Sequence, residues 1–369
     1  MSQLPFTLIL AGGGTGGHVF PALAIAAELK KLRPEARIIF VGTKNRIEER
    51  IVPGYGYDFT TLWIGGFQRS LGLQHFLFPL KLLVSTIQSF FLIRHTKPSA
   101  VIGTGGYVCG PALAAAVMLG VPAFIHESNS YPGATTRLLA SHATRVFLGL
   151  DDARRWLREK EHIELVGTPT SDSFEKASKE EALRHFGLDN RKPVVFVTGG
   201  SQGSVSINNA VLASVSRLGK RVQLLWQTGP RHFEVIRKAT EGTPVGWIGP
   251  FIERMDLAYA AADLVVCRAG ATTIAELTRV GIPAILVPYP FAAGDHQTHN
   301  ARSLVESGAA LLIPDSDLGS RLSQEIRSLL DNPEKQRGMA VAAKRLGRPE
   351  AARVVAERIM EIISKKESA

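Results

Sequence analysis

The chain has 369 residues, 45% of them hydrophobic, with 43 Lys and Arg against 33 Asp and Glu for a formal net charge of +10. That length suits two domains that each bury a core, and a mean hydropathy of +0.07 fits a soluble globular protein at the apolar end. A disulfide framework is not expected, because the two cysteines, Cys109 and Cys267, each lie in an apolar context and read as reduced core thiols of a cytosolic protein.

No basic-then-apolar signal peptide is expected ahead of the first strand, which begins by Phe6. Strands are expected at about 6–11, 37–41, 100–103, 122–126, 145–148 and 163–166, with helices near 18–32, 45–53, 79–96, 111–119 and 133–141. This alternation predicts a parallel sheet covered on both faces. Gly167-Thr168-Pro169-Thr170-Ser171 breaks the pattern and reads as a linker. Ser178-Lys179-Glu180-Glu181 is a capping box opening a short helix, and Gly187 is placed to end it. A second round starts at Pro193, with strands near 194–198, 222–226, 245–248, 263–267, 284–288 and 310–313. The last helical pattern, from about Pro349 to Ser364, is long enough to cross back onto the first domain. The expected domains are 1–166 with 349–369, and 167–348.

Charge is unevenly placed. Between Asp58 and Glu127 there is no acidic residue, while Arg69, Lys81, Arg94 and Lys97 are present. Four scattered bases are too few for a nucleic-acid patch, which interleaves aromatics with many Lys or Arg. A transmembrane helix needs about 20 predominantly apolar residues, and Lys81, Ser85, Thr86, Gln88 and Ser89 interrupt this stretch. Leu80, Leu83, Val84, Ile87 and Phe91 fall at helical spacing and predict the face that packs on the domain. The aperiodic segment Leu71 to Leu80 predicts an exposed apolar patch, in which Arg69, Leu73, Phe76, Phe78 and Lys81 suit an anionic membrane surface.

Two glycine-rich loops, Gly12 to His18 and Gly199 to Ser204, each follow an apolar strand and enter a helical pattern. Glycine lets a backbone approach closely, and a helix N-terminus presents N–H groups and a partial positive charge to a phosphate. Gly12, Gly14 and Gly17 satisfy G-x-G-x-x-G, but the dinucleotide reading also expects an acid at the end of the second strand. Gly42-Thr43-Lys44 stands there instead, so a nicotinamide dehydrogenase is the runner-up.

Further polar groups follow other strand ends. At the start of a helix, where the dipole disfavours its protonated form, His18 reads equally as a general base and as a cap or phosphate ligand. Gly103-Thr104-Gly105-Gly106-Tyr107 is a third such turn, in which Tyr107 also reads as a packed aromatic; His126-Glu127-Ser128-Asn129 follows the next strand. Cys267 to Glu276 again runs strand, glycine turn, helix; Glu276 reads either as a solvated residue or as a bidentate acceptor for two ribose hydroxyls. Gly294 to Asn300 opens another helix with several sugar-directed groups, and Asp315-Ser316-Asp317 reads as N-capping rather than a metal site.

Taken in order, Gly13-Gly14-Thr15-Gly16-Gly17-His18, Gly103-Thr104-Gly105-Gly106-Tyr107, His126-Glu127-Ser128-Asn129, Gly199-Gly200-Ser201-Gln202-Gly203 and Cys267-Arg268-Ala269-Gly270-Ala271-Thr272-Thr273-Ile274-Ala275-Glu276, with Asp295-His296-Gln297 and Asn300, resemble MurG. That family comprises the N-acetylglucosaminyltransferases that convert lipid I to lipid II in bacterial peptidoglycan synthesis. The resemblance covers nearly the whole chain. It implies an α/β protein of the GT-B fold, two Rossmann-like domains with parallel sheets facing a central cleft, and no metal or other cofactor. It implies UDP-GlcNAc as donor, lipid I as acceptor, and a peripheral position at an anionic membrane surface, the cytoplasmic face of the bacterial inner membrane. Other cell-wall synthesis and division proteins are implied as partners, and nucleic acid is not.

Carried over residue by residue, the resemblance puts Thr15, Gly16 and Gly17 near the donor and His18 at the reacting centre as general base. Tyr107 and Glu127 would flank the acceptor, with Glu127 as the alternative base, and Gly103, Thr104, Gly105 and Gly106 would form the acceptor and diphosphate loop. Asn129 and Gln297 match sugar contacts, Ser201 the diphosphate, the Ile252 backbone uracil, and Glu276 the ribose. Ala271, Thr272, Thr273, Ile274 and Ala275 would line the donor pocket. One departure stands out: many members carry an arginine where this chain has Ser171, which leaves the helix termini and Arg268 to neutralise the diphosphate. A UDP-GlcNAc 2-epimerase shares the implied architecture but would release free sugar without a lipid acceptor.

Overall fold

The computed structural model describes residues 6–65, 77–158 and 161–367. The chain divides into two units, Met1–Thr170 with Pro349–Ala369, and Ser171–Arg348. In chain order the first holds β1 (Thr7–Gly12), α1 (Gly16–Leu32), β2 (Arg37–Thr43), α2 (Ile47–Gly54), β3 (Asp58–Leu62), α3 (Phe78–Thr96), β4 (Ala100–Gly105), α4 (Cys109–Met118), β5 (Ala123–Glu127), α5 (Ala134–Leu139), β6 (Arg145–Leu148) and β7 (Ile163–Leu165). The second holds α6 (Lys179–Phe186), β8 (Val194–Thr198), α7 (Val205–Leu218), β9 (Gln223–Gln227), α8 (Phe233–Ala239), β10 (Gly246–Gly249), α9 (Met255–Ala261) and β11 (Leu264–Cys267). It continues with α10 (Ala271–Val280), β12 (Ala284–Leu286), α11 (His296–Glu306), β13 (Ala310–Leu312), α12 (Leu318–Leu330) and α13 (Pro333–Leu346), after which α14 (Ala351–Glu367) belongs to the first unit.

Both sheets are parallel and doubly wound, in the orders β3-β2-β1-β4-β5-β6-β7 and β10-β9-β8-β11-β12-β13. Their central strands read as unbroken apolar runs because helices cover both faces: β1 and β8 are buried at every residue. In each sheet the order reverses beside the first strand, between β1 and β4 and between β8 and β11. Loops at the carboxyl ends there diverge and leave room for a ligand. The first-unit core continues into α14, whose Val355, Ala356, Ile359 and Ile363 join Leu8, Leu10, Val19 and Phe40.

Two elements depart from the sequence pattern. The edge strand β3 was not expected, because Asp58-Phe59-Thr60-Thr61-Leu62 is short, exposed or half-buried at all but Leu62, and without the apolar continuity of its neighbours. Helix α3 forms over the expected residues but faces the other way. Leu80, Leu83, Ile87 and Phe91 are exposed, whereas Ser85, Ser89 and Ile93 are buried. The partner surface explains the inversion. α3 packs on α4, whose buried residues include Cys109, Ala112, Ala115 and Ala116, and small residues on both sides let the two helices approach closely. The serine hydroxyls turn back onto their own helix, Ser85 Oγ to Leu82 O at 3.0 Å and Ser89 Oγ to Ser85 O at 2.8 Å. No helix among the described residues is long and apolar enough to cross a membrane.

Candidate active site

In the first unit the loops after β1 and β4 interlock. Thr104 Oγ1 donates to the carbonyl of His18 at 2.7 Å, and the Gly13 N–H reaches Gly105 O at 3.4 Å. His18 is the third residue of α1, its N–H bonded to Thr15 O at 3.1 Å. Its ring lies against Gly105, where an added Cβ would sit 2.3 Å from His18 Nδ1. Gly105 also has a φ of +117°, so both space and backbone demand glycine there. Tyr107 is 48% exposed, which sets aside its reading as a packed aromatic. Thr15 is exposed and Gly16, Gly17 and His18 are half-buried, so this loop edge is accessible.

Glu127 is bound within its own loop. Its Oε1 accepts from the Asn129 N–H and Asn129 Nδ2, both at 3.1 Å, and its Oε2 from the Gly133 N–H at 2.9 Å and Thr136 Oγ1 at 2.8 Å. Buried, this carboxylate ties the β5–α5 loop to the start of α5 and orients Asn129, with both of its oxygens engaged. His126 is buried, bonded through Nε2 to Gly167 O at 3.0 Å. Burial pulls its imidazole down to about 4, so it stays neutral.

In the second unit the loop after β8 is held from below by uncharged groups. Thr198 Oγ1 accepts from the Gly200 N–H at 3.1 Å, and Gln227 Nε2 donates to Thr198 Oγ1 and Gly200 O, both at 3.0 Å. Ser201, at its tip, is half-buried. The following helix is capped by Ser204, and Arg268 Nη2 donates to Ser204 Oγ at 2.7 Å and Ser206 Oγ at 2.9 Å. A guanidinium therefore sits at this helix N-terminus. Its Nη1 pairs with Asp315 Oδ1 at 2.5 Å, so its charge is already partly met. This corrects the capping role expected of Asp315 and Asp317, since neither side chain caps the helix that follows.

The N-terminus of α10, opened by Gly270 without a side-chain cap, presents Ala271, Thr272, Thr273, Ile274 and Ala275. One turn on, Glu276 is nearly buried and accepts from the Tyr259 hydroxyl at 2.8 Å, so it is not a solvated surface residue. Burial lifts its carboxyl to about 7, partly opposed by that hydrogen bond. The N–H of Ile252 donates to Gln227 Oε1 at 2.8 Å, which leaves the carbonyl as the backbone group for a base. Gln297 Oε1 accepts from the Tyr289 N–H at 3.0 Å, and buried Asn300 donates through Nδ2 to Ala269 O at 3.2 Å. Among the described residues, no group of three or more His, Cys, Asp or Glu is placed to hold a metal ion.

Of the expected membrane patch, Arg69, Leu73 and Phe76 lie outside the described residues. Phe78 and Lys81 begin α3, where Lys81 Nζ stands 5.9 Å from the Trp63 ring. Sequence reading passed over Glu48, Gln227 and Tyr259, all of which brace the site from elements remote in the chain; only their burial marks them.

Comparison with known proteins decides the family. The glycosyltransferase family 28 N-terminal domain matches residues 8–148 and the family 28 C-terminal domain matches 194–355. A Chlorobium limicola protein named UDP-N-acetylglucosamine--N-acetylmuramyl-(pentapeptide) pyrophosphoryl-undecaprenol N-acetylglucosamine transferase is 43% identical, covering 96% of this chain and 99% of its own. A Chlorobaculum tepidum protein of the same name is 44% identical with the same coverage. The chain belongs to the MurG family. A crystal structure of MurG from Acinetobacter baumannii aligns with a TM-score of 0.72 at 28% identity, over 96% of this chain and 99% of that one. A UDP-GlcNAc 2-epimerase from Neisseria meningitidis aligns at 0.68 with 14% identity, over 96% and 99%, and shares the fold alone.

Proposed function

We propose that this chain transfers N-acetylglucosamine from UDP-GlcNAc to the 4-hydroxyl of undecaprenyl-diphospho-N-acetylmuramoyl-pentapeptide, forming a β-1,4 link with inversion at the anomeric carbon. The observation that carries this reading is the full-length likeness to transferases named for that reaction. In it the first unit takes the acceptor. His18 receives the proton of the attacking hydroxyl, and Tyr107 with the Gly103–Gly106 loop lies beside the acceptor. The second unit takes the donor. Ser201, the N-termini of α7 and α10, and Arg268 meet the diphosphate; Glu276 holds the ribose, the Ile252 carbonyl meets uracil, and Gln297 meets the sugar. Preorganised N–H donors stabilise the charge that develops as the diphosphate leaves, so no metal is required. UDP release from UDP-GlcNAc with a lipid I analogue in EDTA tests this. Release only with added Mg²⁺ would remove the metal-free claim, and none in either condition would remove the assignment.

The acceptor's polyprenyl tail stays in the bilayer, so the first unit has to meet the membrane surface. The outward face of α3, Leu80, Leu83, Ile87 and Phe91, supplies shallow apolar contact, and the helix carries Lys81 and Arg94 and no acidic residue. Because these four are exposed, replacing Leu83, Ile87 and Phe91 with serine is expected to weaken binding to anionic vesicles while sparing folding and turnover of a short-chain acceptor. Undiminished vesicle binding would move the contact elsewhere.

A further inference from the structure

Glu48 lies in the first turn of α2, yet none of its surface reaches solvent. Oε1 accepts from Thr43 Oγ1 at 2.7 Å and the Thr43 N–H at 3.1 Å, and both oxygens stand 3.1 Å from the Gly14 N–H. A Cβ at Gly13 would lie 2.4 Å from Glu48 Oε1, and one at Gly42 would lie 2.6 Å from Glu48 Cγ. These two glycines therefore make room for an internal side chain. A glycine loop ahead of a helix offers its N–H groups to an anion. Here a carboxylate of the protein already takes the Gly14 N–H of that loop, and its charge repels a second anion.

We propose that Glu48 is a positioning residue, a resident anion that fixes the first glycine loop for a neutral part of the substrate instead of a phosphate. Through Gly14 and Thr15 it sets the start of α1, and so the His18 ring packed on Gly105. The substrate part of this inference rests on the transferase reading above, whereas the resident anion does not.

Two measurements test it. In Glu48→Ala the Gly14 and Thr43 donors are left around a small cavity. Formate is expected to raise the Tm of that variant saturably, with no such response from chloride or in the wild type. Glu48→Gln keeps the volume and removes the charge. Its kcat is expected to fall by about 10–100-fold, as for a misplaced catalytic group, while KM for UDP-GlcNAc stays within about twofold. A Glu48→Gln enzyme with wild-type kcat, a parallel rise in KM, or a folded Glu48→Ala protein indifferent to formate would overturn the proposal. If Glu48→Ala does not fold, Glu48→Gln decides alone. Should the wild type release no UDP, the transferase reading fails, and the formate response still decides whether the anion site exists.

Discussion

In the first unit the loop after β1 rests on the buried carboxylate of Glu48, while in the second the loop after β8 rests on Thr198 and Gln227, and Arg268 reaches the helix that follows. Both loops lead from a central parallel strand into a helix beside the point where strand order reverses. Their electrostatics are opposite in sign. The glycine pattern alone says only that the backbone approaches something closely. What it approaches depends on side chains from other strands and helices, and here one loop has a carboxylate beneath it while the other has a cation at its helix.

The sharpest test of the comparison is His18→Ala. Loss of a general base lowers kcat by about 10²–10⁴-fold, and with a neutral ligand at the first loop the affinity for UDP is expected to stay unchanged. An equal loss of UDP binding, read by calorimetry, would mean that the first loop holds phosphate after all and that the two loops are alike.

Glu276 offers a test on the second unit. Its carboxyl holds its proton up to about 7 in the folded chain, against an ordinary 4.5. Between those values the unfolded chain releases the proton first, so folding stability falls as pH rises through that window. The cost at full titration is about 3 kcal/mol as an order of magnitude. Glu276→Gln is thus expected to match the wild type below pH 4.5 and to exceed it above pH 7 in urea unfolding, while KM for UDP-GlcNAc rises. An unchanged pH slope would show that the carboxyl is not desolvated, and an unchanged KM would remove it from the donor site.

Arg268→Met leaves Asp315 poorly solvated without its cation, a loss of about 2 kcal/mol, and is expected to weaken UDP binding about tenfold. Adding Asp315→Asn should restore stability and leave affinity low. Restored affinity would mean that Arg268 only braces the scaffold. The smallest effects concern Gly14 and Gly200, whose added Cβ would meet open space but whose φ values are +87° and +85°. Alanine at either is expected to cost about 1 kcal/mol by strain, with kcat affected at Gly14 and donor KM at Gly200. The same kinetic signature from both would erase the distinction.

Local chemistry was legible in the sequence wherever neighbours in the chain settle it. Ser178 caps α6 by accepting from the Glu181 N–H at 3.2 Å, and Gly187 ends that helix with a φ of +65°. The buried strands announced themselves as apolar runs between glycine turns, and the ordered motifs carried the family. The sequence did not show which side of α3 faces in, because periodicity finds an apolar stripe but not its partner, and the small residues of α4 selected the serine face. It did not show that Glu127 would be consumed by four donors, that Gln227 would take the Ile252 N–H, or that Arg268 would find Asp315. Nor did it show that the acid missing after β2 has a counterpart in Glu48, five residues past Thr43 and folded beneath the loop. Strand, cap and turn preferences follow from the backbone and adjacent side chains, so the chain alone determined the two-sheet α/β architecture. The charge beneath each glycine loop follows from burial among groups distant in sequence, and only the tertiary structure decided it.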